Sequence, residues 1–297
     1  MKSITYYITL FVIRLKGIKK EFSKDPIDYI KLRREDICSP KLKGVQSKQF
    51  NILDTLLTEV KPAQTNGFLL LFCHGGAFVS GPSKHHWDSI KKIVLKTSCS
   101  VWMIDYPKAP ENKIDVISKN IDAVYSKALD EFDANRIILL GDSVGGTLVT
   151  NLVQRVLIKG MSIPLGLILI SPVMDSTMSN PAIDDLDKDD PMLSKKGVLS
   201  AKKMCTIAND LSDPRLSPIN GSFKGFPNTL LFIAENDITK PDQERAVQLM
   251  NDNNIDVTVV VGDKMPHIWP LLPVIKEGKH AMSVVISYIL QSIDREK

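Results

Sequence analysis

The chain has 297 residues, 43% hydrophobic and 24% charged, with 16 glycines and 17 prolines. This is the composition of an ordinary soluble globular protein able to bury a large core. Its 38 basic and 34 acidic residues leave a net charge of +4, and the basic residues are scattered rather than interleaved with aromatics, so no nucleic acid partner is expected.

In chain order, the first feature is the apolar run Ile4 to Ile13, flanked by Lys2 and by Arg14, Lys16, Lys19 and Lys20. It is shorter than the about 20 apolar residues a membrane span takes. It also lacks the small-residue cleavage site of a secretory signal, since Arg14, Leu15, Lys16 and Gly17 follow it. The expectation is an amphipathic helix docked on the protein. A membrane contact through residues 4–13 is the less favoured reading. The four cysteines, Cys38, Cys73, Cys99 and Cys205, form neither a CxxC pair nor a Cys/His ligand cluster. No metal site is expected, and a reducing, cytoplasmic compartment is the simpler reading.

From about residue 48, apolar runs of strand length alternate with stretches of helical period, the pattern of an α/β fold with a mostly parallel sheet flanked by helices. The expected strands are Phe68 to Cys73, Val101 to Ile104, Arg136 to Leu140, Leu165 to Ile170, Thr229 to Ala234 and Val257 to Val261. Helical spacing joins Ile114, Ile117, Ile121, Val124 and Ala128, and again Val247 and Met250; a last helix is expected over Val274 to Ser292. Met174 to Asn220 breaks the alternation. It is polar and too long for a plain connection, so it reads as an insertion over the active face. Within it, Asp185, Asp187 and Asp189 alternate like the start of an EF-hand loop, but Asp190 and Lys196 stand where glycine and glutamate are required. A solvated acidic loop is expected there.

Three of these elements end in residues that carry chemistry. Gly141, Asp142, Ser143, Val144 and Gly145 lie between a strand and a helix, where a serine held on a sharp turn acts as a nucleophile. His74, Gly75, Gly76, Ala77 and Phe78 directly follow the first parallel strand, and paired glycines let backbone N–H groups approach a carbonyl oxygen. Gly75, Gly76 and Val144 are the candidate oxyanion donors, with His74 bracing the loop.

A serine nucleophile needs a base, and of the five histidines His267 lies just beyond the last strand. His280 falls in the C-terminal helix and reads as exposed. The orienting carboxylate should follow the strand ending at Ala234, which makes Asp237 the choice and Glu235 the close competitor; Asp242 could equally cap a helix.

These blocks resemble the hormone-sensitive-lipase-like branch of the α/β hydrolases, which includes bacterial carboxylesterases and acetyl esterases. From about residue 65 to the C-terminus the resemblance also takes in Asp105 to Glu111, similar to the family's DYRLAPE block, and Asp213 to Pro218. It implies an α/β-hydrolase fold and a serine hydrolase of small-molecule carboxylic esters that uses no cofactor. Ser143 would be the nucleophile, Asp237 the acid, His267 the base, and Gly75, Gly76 and Val144 the oxyanion donors.

The resemblance further implies a cap from residues 1–45 and 174–218 over a core of 46–173 and 219–297. Ala77, Phe78 and Trp269 are expected against the substrate. Ala77 stands for a third glycine, Val144 for the usual alanine, and Pro107 for the arginine of the DYRLAPE block, which puts a structural contact in doubt. An amidase or small peptidase on the same triad is the alternative, and a non-catalytic ligand-binding protein a remoter one.

Overall fold

The computed structural model describes residues 2–296. Its centre is an eight-stranded sheet of β1 (Gln46–Ile52), β2 (Thr55–Lys61), β3 (Leu69–Cys73), β4 (Ser100–Asp105), β5 (Ile137–Asp142), β6 (Gly166–Ile170), β7 (Thr229–Asn236) and β8 (Val257–Pro266). The strand order is β1-β2-β4-β3-β5-β6-β7-β8; β1 and β2 run antiparallel to their neighbours and the rest are parallel. The six expected strands are present within a few residues.

The first hairpin was not expected. Its edge strand β1, with the sequence QSKQFNI, is largely exposed and carries no apolar alternation to reveal it. Its pairing with β2 supplies the order instead.

The helices are α1 (Ile4–Leu15), α2 (Ile18–Glu21), α3 (Tyr29–Leu32), α4 (Lys84–Thr97), α5 (Ile114–Glu131), α6 (Val144–Ile158), α7 (Ile183–Asp189), α8 (Lys195–Cys205), α9 (Lys240–Asp252) and α10 (Lys276–Arg295). Alternate residues of the central strands enter opposite cores, which is why these strands read as unbroken apolar runs. On one face Leu69, Leu71, Leu139 and Leu169 meet Ile117 and Ile121 of α5 and Leu148 of α6. On the other, Leu70, Phe72, Ile138 and Ile168 lie in one core with Ile90 of α4, Val285 of α10, and Tyr6 and Ile13 of α1.

Residues 184–190 are not the solvated loop that their charge pattern indicates. Residues 184–189 belong to α7, and Asp190 at its C-terminus is buried. The helix exposes its acidic face to water and pairs Asp184 and Asp185 with Lys195 and Lys188.

The insertion and the N-terminal segment pack on each other. Ser200 Oγ accepts the Ile27 N–H at 2.9 Å, and Lys19 reaches the Asp187 carbonyl. The contact is closest at Gly197, where a Cβ would overlap the backbone carbonyl of Phe22. Gly197→Ala is therefore expected to lower stability by about 1–3 kcal/mol, the usual cost of overpacking. Limited proteolysis should then release the N-terminal segment earlier than in the wild type, and unchanged thermal unfolding and cleavage would contradict this packing.

Candidate active site

Ser143 sits between β5 and α6 with φ 52° and ψ −124°, a left-handed backbone that a serine adopts only under constraint. Its neighbours explain how the chain tolerates it. A Cβ at Gly145 would overlap the Cys73 carbonyl at the end of β3, and one at Gly146 would lie 2.6 Å from Pro172 Cβ. Around the serine, its N–H donates to the Ile170 carbonyl at 2.9 Å and its carbonyl accepts the Val173 N–H at 3.1 Å. The side chain is half-buried at the top of the sheet.

His267 and Asp237 meet at the neighbouring strand ends. His267 Nδ1 lies 2.6 Å from Asp237 Oδ2, while Asp237 Oδ1 accepts the Thr239 N–H and hydroxyl at 2.8 and 2.7 Å. Glu235, the competing carboxylate, accepts the Lys264 N–H instead. Asp242 lies in the first turn of α9 and takes a hydrogen bond from Asn180. With the Nδ1 proton directed at Asp237, His267 Nε2 is left with its lone pair. That atom is buried and has no hydrogen-bond partner, so no Ser143–His267 bond is formed in this structure. His280 is exposed, as expected.

The electrostatics favour a basic imidazole. Burial opposes its protonation, but the charge and hydrogen bond of Asp237, with the charges of Asp190 and Asp142, hold the His267 pKa above the ordinary value.

Asp190 was missed as a site residue because it closes a charge-rich run. Its Oδ1 accepts the N–H groups of Met192 and Leu193 at 2.7 and 2.8 Å, and its Oδ2 that of Ile238 at 3.0 Å. The insertion thereby clamps the loop that carries Asp237. Burial and the charge of Asp237 push the Asp190 carboxyl up to about 7.

The glycine loop departs from expectation at one donor. Gly75 gives its N–H to Asp142 Oδ1 at 3.0 Å, so that donor is already engaged. A Cβ on Gly75 would overlap the same carboxylate and come within 3.0 Å of Ser143 Cβ. Gly76 has φ +123°, and a Cβ there would overlap the Ser80 carbonyl. The N–H groups of Gly76 and Ala77 have no acceptor among the described residues. Val144 opens α6, where a first-turn N–H has no partner within the helix.

Asp142 itself is buried against His86, with Nε2 at 3.3 Å, while His86 Nδ1 accepts the Ser83 N–H. Burial would raise the Asp142 pKa, but the His86 charge and hydrogen bond, His85 and the Gly75 N–H hold it below the usual range. His85, His86 and Asp142 bring one ligand atom each within 4.8 Å. Both nitrogens of His86 are nevertheless taken by hydrogen bonds, and the group serves as a brace.

His74 braces the same loop. It is buried, stacks on Tyr106 with ring centroids 4.5 Å apart, and its Nδ1 lies 2.6 Å from the Gly75 carbonyl.

Two expected substrate contacts are corrected. The Trp269 ring is 5% exposed, packs edge-on against Phe232 and over Gly262, and donates to the Ile233 carbonyl at 3.3 Å. Phe78 is fully buried in the core with Leu71 and Ile104. Both rings are spent on packing, because residues following a strand end face the core as readily as the cleft. Ala77 remains at the rim of that core.

Arg33 beyond α3 binds Glu111 with both terminal nitrogens at 2.9 and 2.7 Å, and donates to the carbonyls of Val79 and Ala109.

The pKa of His267 gives a direct check on this geometry. In ¹H–¹⁵N spectra of the wild type its titration should lie above about 6.5. In Asp237→Asn it should fall, because the charge and hydrogen bond that chiefly offset burial are lost and only the charges of Asp190 and Asp142 still oppose it; Asp190→Asn should lower it by less. A titration unmoved by Asp237→Asn would contradict the pairing.

Residues 70–271 match a family described as the α/β hydrolase fold. An esterase of Acinetobacter venetianus is 28% identical over 209 residues, covering 69% of this chain and 69% of its own. An acetyl-hydrolase of Streptomyces hygroscopicus is 23% identical over 232 residues, 77% and 78% of the two chains. The crystal structure of an esterase from the bacterial hormone-sensitive lipase family superposes over 99% of each chain with a TM-score of 0.89 at 22% identity, a likeness of fold.

Proposed function

Because the chain belongs to the α/β hydrolase-fold family, matched over residues 70–271, we propose that it is a serine carboxylesterase whose triad is Ser143, His267 and Asp237. The observation that carries this reading is the 2.6 Å Asp237–His267 pair, which leaves a buried imidazole lone pair without a partner in a chain that also mounts a serine on a strained strand-to-helix turn. The names of its relatives, esterase and acetyl-hydrolase, support an ester substrate of small-molecule size.

In the proposed reaction Ser143 Oγ attacks the ester carbonyl carbon as His267 Nε2 takes its proton. The carbonyl oxygen becomes an oxyanion facing the N–H groups of Gly76, Ala77 and Val144, each such donor being worth about 2.7–4 kcal/mol in the transition state. His267 then returns the proton to the leaving alkoxide, and the alcohol departs from the acyl-enzyme. Water, deprotonated by the same imidazole, releases the carboxylic acid. The Ser143–His267 hydrogen bond forms as substrate binds, since such bonds commonly tighten only in the bound complex.

A short- to medium-chain substrate is supported by the arch over the site. The insertion holds the acid loop through Asp190 and Ile238, the N-terminal segment holds the glycine loop through Arg33 and Val79, and the two meet at Phe22 and Gly197. We assign residues 2–45 and 174–218 to this cap; residue 1, expected in it, lies outside the described residues. Four free cysteines support a reducing, cytoplasmic setting. No helix among the described residues is long and apolar enough to cross a membrane.

Three experiments test the reading. Ser143→Ala should lower kcat on a chromogenic butyrate ester by about 10⁴ or more with an unchanged thermal unfolding curve, and should abolish labelling by a fluorophosphonate probe. Turnover near the wild-type rate would remove Ser143 from the mechanism. For one alcohol, acetyl and butyryl esters should be hydrolysed faster than the dodecanoyl ester, and the reverse order would rule out a closed cap. The acid limb of kcat/KM should follow the raised His267 pKa, activity being lost as the pH falls through it.

A further inference from the structure

Helix α1 is held to the protein by one face only. Tyr6 and Ile13 are buried, the Tyr6 hydroxyl donates to the Lys264 carbonyl at 2.8 Å, and Ser3 donates from its N–H and hydroxyl to Glu277 of α10 at 2.8 and 2.6 Å. The opposite face carries Ile4, Tyr7, Ile8, Phe11, Val12 and Leu15, each between 40% and 79% exposed. Their spacing of three and four residues makes one continuous stripe. Among the described residues no other element exposes more than one large apolar side chain. The stripe is thus a single unpartnered patch of the kind that marks an interaction surface.

Its charge setting selects the partner. The helix contains no acidic residue, Arg14 lies in its last turn, Lys16 caps it, and Lys19 and Lys20 follow. At this end an open cavity of about 400 Å³ is lined by Arg14, Lys19, Lys20 and Lys188, with Asp189 and Asp190. Asp190 is buried and turned to the Ile238 N–H, and Lys19 is shared with Asp187. Arg14, Lys16 and Lys20 have no ion-pair partner among the described residues. A second copy of the chain, pairing stripe to stripe, would bring these cations against a helix that offers no carboxylate. A bilayer with anionic phosphate headgroups meets both features, acyl chains taking the stripe and headgroups the basic end.

We propose that α1 and the basic cavity at its C-terminal end form a docking surface for an anionic phospholipid membrane, on which the helix lies in the interface plane. This surface does not depend on the esterase reading. It also alters the sequence-based preference, because docking on the protein and contact with lipid use opposite faces of the same helix.

The test is co-sedimentation of the full-length protein with vesicles of phosphatidylcholine alone and of phosphatidylcholine mixed with phosphatidylserine. Binding is expected on the mixed vesicles, weakening as salt is raised. The double variant Ile8→Asp with Phe11→Asp should lower the partition coefficient about tenfold or more. Lys20→Gln should lower it about fivefold. Circular dichroism melting curves matching the wild type would show that both variants are folded, and the salt series on the wild type needs no variant.

Absence of binding to the mixed vesicles, or equal binding by the double variant, would overturn the proposal. So would a wild-type dimer that the double variant converts to monomer without any vesicle affinity, which assigns the stripe to a second copy. Protection of Lys20 from acetylation by inorganic phosphate, again without vesicle affinity, would assign the cavity to a soluble phosphate compound and equally overturn it.

Discussion

The site depends on how closely two pieces of backbone approach each other. The turn after β5 lies so near the end of β3 that Gly145 leaves no room for a Cβ beside the Cys73 carbonyl, and Gly146 is similarly confined by Pro172. This contact holds Ser143 at a positive φ that costs of order 1–3 kcal/mol and persists only where the surroundings over-determine it. It also carries Asp142 under the glycine loop, where its carboxylate binds the Gly75 N–H and His86 together. The Ser143 turn and the glycine loop are therefore positioned by one another, and the sheet's parallel register across β3 and β5 brings their ends level.

Much of this was legible because it is local. Buried parallel strands are apolar on both faces and read as short continuous runs, and the residues that carry chemistry follow their ends within a few positions. Asp237 lies one residue past the end of β7, beside His267, whereas Glu235 within the strand accepts the Lys264 N–H. What the sequence hid is set by distant partners or by the direction of a side chain. The fate of the Gly75 N–H is decided by a carboxylate 67 positions away. Trp269 and Phe78 sit where a cleft residue could sit, but their rings turn into the core. The β1–β2 hairpin gave no signal because an edge strand facing water needs no apolar alternation.

The acidic run of residues 184–190 shows how composition can conceal a buried residue. Its members through Asp189 are solvated on α7, as their charge density dictates, yet Asp190 breaks from the helix and is drawn inward by three backbone N–H groups. Charge alone would keep such a carboxylate at the surface; hydrogen bonds to otherwise unpaired amides make its burial tolerable. Arg33 plays the corresponding part on the other side, where it replaces solvent at the carbonyls of Val79 and Ala109. The two segments of the proposed cap are in this way tied by polar contacts to both halves of the site, and they meet each other through the Ile27–Ser200 and Lys19–Asp187 contacts as well as by close packing at Gly197.

These ties bear on the chemistry as well as the shape. In the proposed reaction His267 becomes an imidazolium for an instant inside a region that burial makes hostile to charge. Asp237 compensates directly. Asp190, lifted to about 7 by burial and by Asp237, adds its negative charge as the pH rises. A second carboxyl so close to the acid would ordinarily weaken the first by repulsion. Here the Ile238 N–H stands between the two loops and engages Asp190, while Thr239 engages Asp237, so each carboxylate keeps its own donors and both charges act on one ring.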